Sequence, residues 1–288
     1  MSLREHVLSR LATLAPNRKF AATGFLAAEA GLVLPVDESA FVRSNAVFVW
    51  SYYLQLARLA SRRGRKRVYD RIVPQGEEHL KTAAEQGKGI ILLSVHLGDF
   101  DAGGGWLADR QAITPVVVAQ PLRPRWRQAL FSLVRSRCGV LLREAGTTSL
   151  EKLDRDLRRR RAVLVMLDRR PLGPTSPSRI LDKPAVAPLA VSLLAASSQA
   201  PMLPAATWRG SGGELIAWFG EPFTTADPSQ AMAHISEVAE QLGDLIRVHP
   251  EQWHVPADLS EMAWASPEPR SKGAEALVDI SVGSEVAA

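Results

Sequence analysis

"GKGIILLSVHLGDFDAGGG", Gly87–Gly105, is the stretch on which the fold turns. Ile90–Val95 is a short, almost uninterrupted apolar run behind a Gly-Lys-Gly step, the pattern of a buried strand. His96 stands where that strand ends. Asp99 and Asp101 follow within five residues, with three consecutive glycines behind them.

Outward from this strand the periodicity alternates. "GEEHLKTAAEQGKG" reads as a helix with a glycine stop, and Asp101–Arg110 as a helix after the histidine. "TPVVVAQ", "GVLLRE" and "AVLVMLD" read as strands. Between them lie the helices "RPRWRQALFSLVRSR" and "TTSLEKLDRDLRRRR", the second capped by Thr147 or Thr148. "PLAVSLLAASSQ" is a helix, "PMLPAATW" and "ELIAWFG" are strands, and "SQAMAHISEVAEQLGDLIRVH" is a closing helix. Strands alternating with helices of this length predict a single α/β domain, with a central, largely parallel or mixed sheet flanked by helices. The expected boundaries are a helical N-terminal segment at 1–75, the α/β domain at 76–264 and a disordered tail at 265–288, where the chain turns polar and small. No internal repeat is visible.

Within the first segment, "DESAFVRSNAVFVWSYYLQLARLA" has helical spacing, with Asp37 or Ser39 as N-cap, and runs into "SRRGRKR". An apolar stripe with Trp50, Tyr52 and Tyr53 beside a basic run suits an interfacial helix, and equally a core helix followed by a solvated basic turn. "FAATGFLAAEAGLVLP" (Phe20–Pro35) contains Glu29 and is short of the ~20 apolar residues of a membrane span, so it reads as a peripheral or core helix. Charges interrupt every apolar run at the N-terminus, unlike a signal peptide.

Among 288 residues, Lys and Arg total 35 against 30 Asp and Glu. Arginine dominates the cations. That bias suits an anionic substrate or membrane surface, or reflects GC-rich codon usage, since Ala, Gly and Pro are also abundant. The single cysteine, Cys138, excludes an internal disulfide framework and a cysteine-based zinc site, and its position suits a buried small residue. There is no dinucleotide or P-loop fingerprint, no Gly-x-Ser-x-Gly elbow and no nucleic-acid module.

Three readings of His96 stand open on the residues alone. It is a strand-end histidine that holds a turn; or a metal ligand, as "GDFD" would suit a metallophosphoesterase loop; or a general base with a carboxylate partner. The metal reading needs further ligands at matching spacing, and the other histidines do not supply them. In the third reading, a histidine in the turn and Asp101 in the first helical turn bring a carboxylate to Nδ1–H and leave Nε2 for substrate.

The block "GKGIILLSVHLGDFDAGGGWLA" resembles the lipid A biosynthesis lauroyl/myristoyl acyltransferases and their His-x-x-x-x-Asp/Glu signature. "TPVVVAQPLRPRWRQALFSLVRSRCGV", "LVMLDRRPLG", "PLAVSLLAASSQAPMLP" and "HPEQWHV" (His249–Val255) follow in the family's order, covering Gly76 to Val255. Where that family carries Asn-Trp-Glu, this chain has Asp99-Phe100-Asp101. That acid and Trp253-His254 lean toward the phosphatidylinositol mannoside acyltransferase branch. The resemblance implies transfer of a fatty acyl group from acyl-CoA or acyl carrier protein to a hydroxyl of a lipid or glycolipid. His96 and Asp101 would be catalytic, and Arg137, Asp168, Arg169 and Trp253 would bind substrate. It implies no cofactor beyond the thioester co-substrate, no metal, no nucleic-acid partner and a peripheral place on the cytoplasmic face of the membrane. The alternative from another class is a membrane-bound lipid-binding protein of the same fold without turnover.

Overall fold

The computed structural model describes residues 38–120, 125–254 and 262–263. The Phe20–Pro35 helix, the Asp37 cap and the 265–288 tail lie outside the described residues.

The order begins with two helices, α1 (Glu38–Leu59) and α2 (Arg62–Tyr69). Then come β1 (Ile72–Gln75), α3 (Glu77–Glu85), β2 (Ile90–Ser94), α4 (Phe100–Arg110), β3 (Pro115–Ala119) and α5 (Arg125–Arg137). They are followed by β4 (Leu141–Glu144), α6 (Leu150–Arg158), β5 (Ala162–Met166), β6 (Thr175–Ile180), β7 (Lys183–Pro188) and α7 (Leu189–Ser198). The described chain continues through β8 (Met202–Arg209), β9 (Leu215–Phe219), α8 (Pro228–Val248) and a 3-10 turn at Pro250–Gln252.

Seven strands form one mixed sheet in the order β1-β9-β8-β2-β5-β3-β4. From β8 to β4 all neighbours are parallel. β9 is antiparallel to β8, and β1 is parallel to β9. β2 is central, and all five of its residues are buried. Its side chains alternate across the sheet. Ile91 and Leu93 join one core with α6, α7 and α8; Ile90 and Leu92 join a second with α2, α3, α4 and α5. α1 feeds both, through Phe41 on one side and Leu56 and Leu59 on the other.

Local chemistry explains most element ends. Asp227 caps α8 by accepting from Ser229 N–H at 2.8 Å, with Pro228 in the first turn. "SRRGRKR" is solvent-facing but helical rather than a turn. It opens α2, where the Ser61 hydroxyl accepts from Gly64 N–H and Val68 and Tyr69 are buried. At α6 neither threonine caps; both hydroxyls donate to the Glu144 carbonyl, and Ser149 holds the cap position.

Three strands have no signature in the sequence. β1 is a four-residue edge strand containing Pro74, a residue tolerated at an edge because it lacks a donor. β6 and β7 form a separate antiparallel hairpin whose two-residue loop is Leu181-Asp182, both at positive φ (55° and 60°). Such turns ordinarily use Asn-Gly or Asp-Gly. Here the fold imposes the turn: Leu181 is buried in the core, and Glu240 of α8 accepts from Asp182 N–H at 3.1 Å.

The glycines at 103–105 lie within α4 rather than in a loop. A Cβ at Gly105 would come within 2.1 Å of the Tyr69 hydroxyl, and one at Gly103 within 2.7 Å of Thr207. They let α4 approach α2 and β8 closely.

Candidate active site

His96 leaves the carboxyl end of β2. β5 runs parallel beside it with Ser94 opposite Met166, and Leu167 N–H extends the ladder to the Ser94 carbonyl at 2.7 Å. Equivalent positions beyond two parallel strands stand side by side. Two residues past the paired ends, those positions are His96 and Asp168, with Nδ1 2.8 Å from Oδ1. An ionised carboxylate only accepts, so Nδ1 carries the proton and donates. Nε2 is then the basic nitrogen, on a side chain that is 25% exposed.

Asp168 is fully buried and accepts from three groups: His96 Nδ1, Arg169 Nη1 at 2.9 Å and the Trp253 indole Nε1 at 3.0 Å. Burial by itself penalises the charged carboxylate. The charges of Arg169 and His96, with the hydrogen bonds from His96 and Trp253, outweigh it and hold the carboxyl well below its usual range. Arg169 also donates from Nη2 to the His254 carbonyl. This is the arrangement that fixes an imidazole tautomer and stabilises imidazolium.

Asp101 does not meet His96. The expected His96–Asp101 hydrogen bond is replaced by His96–Asp168. From the first turn of α4, Asp101 reaches α5 and α1 instead. Arg135 Nε donates to Oδ1 at 2.6 Å, Arg135 Nη2 to Oδ2 at 3.3 Å, and the Tyr52 hydroxyl to Oδ2. Burial opposes ionisation of Asp101, and Arg135 with the Tyr52 hydrogen bond overcomes it. The Tyr52 hydroxyl is pushed far up, by burial first and by Asp101 second.

Asp99 is also committed. Arg209, the last residue of β8, binds it bidentately, Nε to Oδ2 at 2.5 Å and Nη2 to Oδ1 at 2.8 Å. Arg209 donates from Nη1 to Ser51 and lies over the Phe48 ring at 4.8 Å. Thus the carboxyl ends of β8, β2 and β5, three neighbouring parallel strands, supply Arg209, His96 and Asp168. Open α/β sheets place their sites at this edge. Among the described residues no group of three His, Cys, Asp or Glu is gathered as metal ligands.

The "PEQW" block clamps this edge together. Leu97 bridges Trp253, and Gln252 exchanges hydrogen bonds with both the N–H and the carbonyl of Arg209. Asn45 of α1 donates to the Glu251 and Trp253 carbonyls. Trp253 is fully buried, so it does not line an open cleft; its indole serves Asp168. His254 donates from its main chain to the His96 carbonyl at 2.8 Å and from Nε2 to the Gly98 carbonyl at 3.0 Å. Burial drives its pKa down to about 3, with the cationic neighbours adding to the effect and the Gly98 hydrogen bond opposing it. It is therefore a neutral packing ring, set against Tyr52, Phe48 and Phe100. Phe100 in turn meets His96 edge-on at 5.2 Å.

Of the residues singled out in the sequence, the fold brings His96, Asp168, Arg169 and Trp253 into one network. Arg137 stays on the exposed face of α5, donating to the Ala60 carbonyl at 3.4 Å. Arg135 is the arginine that turns inward. Helical spacing carries the signal for this: Phe131, Val134 and Cys138 mark the buried face, and position 135 adjoins it while 137 does not. Tyr52 and Arg209 had no local signal, because their partners lie 49 and 110 residues away.

The loop that carries His96 depends on Gly98. Its φ is 64°, and a Cβ there would lie 2.1 Å from the Thr207 carbonyl oxygen. Gly98→Ala should therefore destabilise the fold by ~2–4 kcal/mol, combining left-handed strain with overpacking. Denaturant unfolding of the variant measures this; an unchanged midpoint and slope would refute it.

Residues 2–255 match the family described as bacterial lipid A biosynthesis acyltransferase. Phosphatidylinositol mannoside acyltransferases from two strains of Mycobacterium tuberculosis are similar to this chain. Each is 29% identical over 223 residues, which cover 73% of this chain and 68% of the relative. The motif blocks quoted from the sequence fall inside the matched region, and the fold gathers their His96, Asp168, Arg169 and Trp253 at one edge of the sheet. The protein belongs to the bacterial lipid A biosynthesis acyltransferase family, and is an O-acyltransferase of lipid biosynthesis.

Proposed function

We propose that the enzyme moves a fatty acyl group from an acyl-CoA or acyl carrier protein thioester to a hydroxyl of a glycolipid, of the phosphatidylinositol mannoside type. The observation that carries this reading is the His96–Asp168 pair at the open edge of the sheet, with Nδ1 bound to a buried carboxylate and Nε2 left as the base. The acceptor hydroxyl oxygen attacks the thioester carbonyl carbon as His96 Nε2 takes its proton. Collapse of the tetrahedral adduct breaks the C–S bond. The leaving thiolate receives the proton from Nε2–H, giving an ester and a free thiol. Asp168 holds the ring and compensates imidazolium charge. Arg169 and Trp253 hold Asp168. Asp101 acts at one remove, fixing Arg135 and Tyr52 beside the site.

The glycolipid acceptor rests on the names of the similar mycobacterial enzymes. Peripheral attachment at the cytoplasmic face of the membrane suits such a substrate. No helix among the described residues is long and apolar enough to cross a bilayer. Purified protein with radiolabelled acyl-CoA or acyl carrier protein and phosphatidylinositol mannosides should yield a labelled, more acylated product on chromatography. Label transferred only to an acceptor lacking mannose would overturn the glycolipid assignment. Absence of transfer from either donor to any lipid hydroxyl would overturn the reading entirely.

A further inference from the structure

We propose that the outer faces of α1 and α5 form the surface on which this enzyme docks to an anionic lipid bilayer. This deepens the glycolipid-acceptor reading and rests on it for its purpose, though not for its test.

The two helices are neighbours. Tyr53 of α1 and Phe131 of α5 meet edge-on at 6.3 Å, and Arg137 of α5 donates to Ala60 just past the end of α1. Each helix turns an apolar stripe inward and leaves a second one outside. Trp50, Tyr53 and Leu54 are 39%, 38% and 44% exposed, and Leu130 and Leu133 on α5 are both 47% exposed. Five large apolar side chains on two adjoining helices are more than the scattered exposure normal for a surface. Two of the five are Trp and Tyr, the side chains that favour the headgroup layer.

The charge around them is mainly positive, with Glu38 at the start of α1 and Asp70 after α2 as the flanking acids. Ala40–Tyr69 contains seven Arg or Lys and no Asp or Glu, and Arg125–Arg137 contains four Arg and no acid. Arg58, Arg62, Arg63, Arg67 and Arg137 are exposed, while exposed Lys66 pairs with Asp70 at 2.7 Å. An apolar stripe rimmed mainly by cations complements an anionic lipid surface and disfavours a basic partner.

The face is also tied to the catalytic edge. Tyr53 contacts Tyr52 at 5.5 Å, Tyr52 contacts Phe100 at 5.4 Å, and Phe100 contacts His96 at 5.2 Å. A chain of aromatic rings thus links the docking face to the general base. Docking here sets His96 behind α1 and within a few side chains of the layer in which a lipid hydroxyl resides.

The test is co-sedimentation with vesicles of phosphatidylcholine alone and of phosphatidylcholine with phosphatidylglycerol, using the full chain. Binding should require the anionic lipid and weaken as salt rises. Trp50→Ser combined with Leu54→Ser and Leu133→Ser should lower vesicle partition at least ~10-fold with an unchanged melting temperature, because these side chains are exposed. Neutralising Arg62, Arg63 and Arg67 to Gln should lower it by roughly fivefold per charge at low salt. Transfer to an acceptor dissolved in detergent should persist in the triple variant while transfer to the same acceptor in vesicles falls. The proposal is overturned if neutral and anionic vesicles bind equally or if the triple variant partitions like the wild type. A triple variant that loses thermal stability and keeps its vesicle binding also overturns it, and shows that residues 1–37 or another part of the chain covers this face. Loss of vesicle binding in the variants of a protein that acylates no lipid would sustain the docking face and sink the enzymatic reading.

Discussion

His96→Ala should reduce acyl transfer by ~10²–10⁴-fold, the range that a positioned general base contributes. His96 Nε2 is the nitrogen at the sheet edge left basic by its partner's hydrogen bond. The nearby ring of His254 is half-buried, held neutral and bound to the Gly98 carbonyl, so it is not placed to substitute. The side chain of His96 is partly exposed and its main-chain carbonyl, not its ring, ties down His254. The substitution also takes one of three donors from the fully buried Asp168 carboxylate, so unfolding should change by ~1.5–3 kcal/mol, the scale of a hydrogen bond to a charged group. Single-turnover assays with a thioester donor, run beside thermal unfolding, separate the two effects. Retention of more than a tenth of the activity in a folded variant would show that His96 is not the base.

Asp168→Asn should cost nearly as much activity, and Asp101→Asn should act differently. An amide at 168 offers a neutral oxygen and can place an N–H against His96 Nδ1. It then favours the tautomer with the proton on Nε2, the wrong nitrogen for a base. Loss of the charge also withdraws the compensation for imidazolium. The expected loss is ~10²–10⁴ in kcat. Asp101→Asn leaves the His96–Asp168 pair intact and strips the carboxylate from Arg135, whose side chain is mostly buried. Removing one partner of a buried pair typically costs ~3–5 kcal/mol. Its main signature should be a lowered unfolding midpoint, with transfer in the folded fraction reduced less than by Asp168→Asn. The decisive comparison is kcat per folded molecule, with Asp168→Glu as the conservative control. Wild-type kcat in Asp168→Asn, with complete loss in a folded Asp101→Asn, would return the partnership to Asp101.

That comparison marks the boundary between local and distant information. The alternation of strands and helices from Gly76 onward was legible, because buried strands and amphipathic helices have short-range periods that one sequence displays. The elements it missed are a four-residue edge strand and a hairpin turned by Leu181-Asp182. In both, tertiary contacts, not turn chemistry, enforce the backbone.

The site divides the same way. His96 at a strand end, the ordered acyltransferase blocks and the Pro-Glu-Gln-Trp segment are local patterns, and they pointed to the family. The partner of His96 is not a local property. Asp101 is five residues away in sequence, and α4 carries it toward Arg135 and Tyr52. Asp168 is 72 residues away, and the parallel register of β2 with β5 sets it beside His96. The choice between Arg135 and Arg137 likewise follows from which face of α5 packs on the core. Strand register and helix facing are decided by which apolar surfaces meet, and only the assembled tertiary structure contains that information.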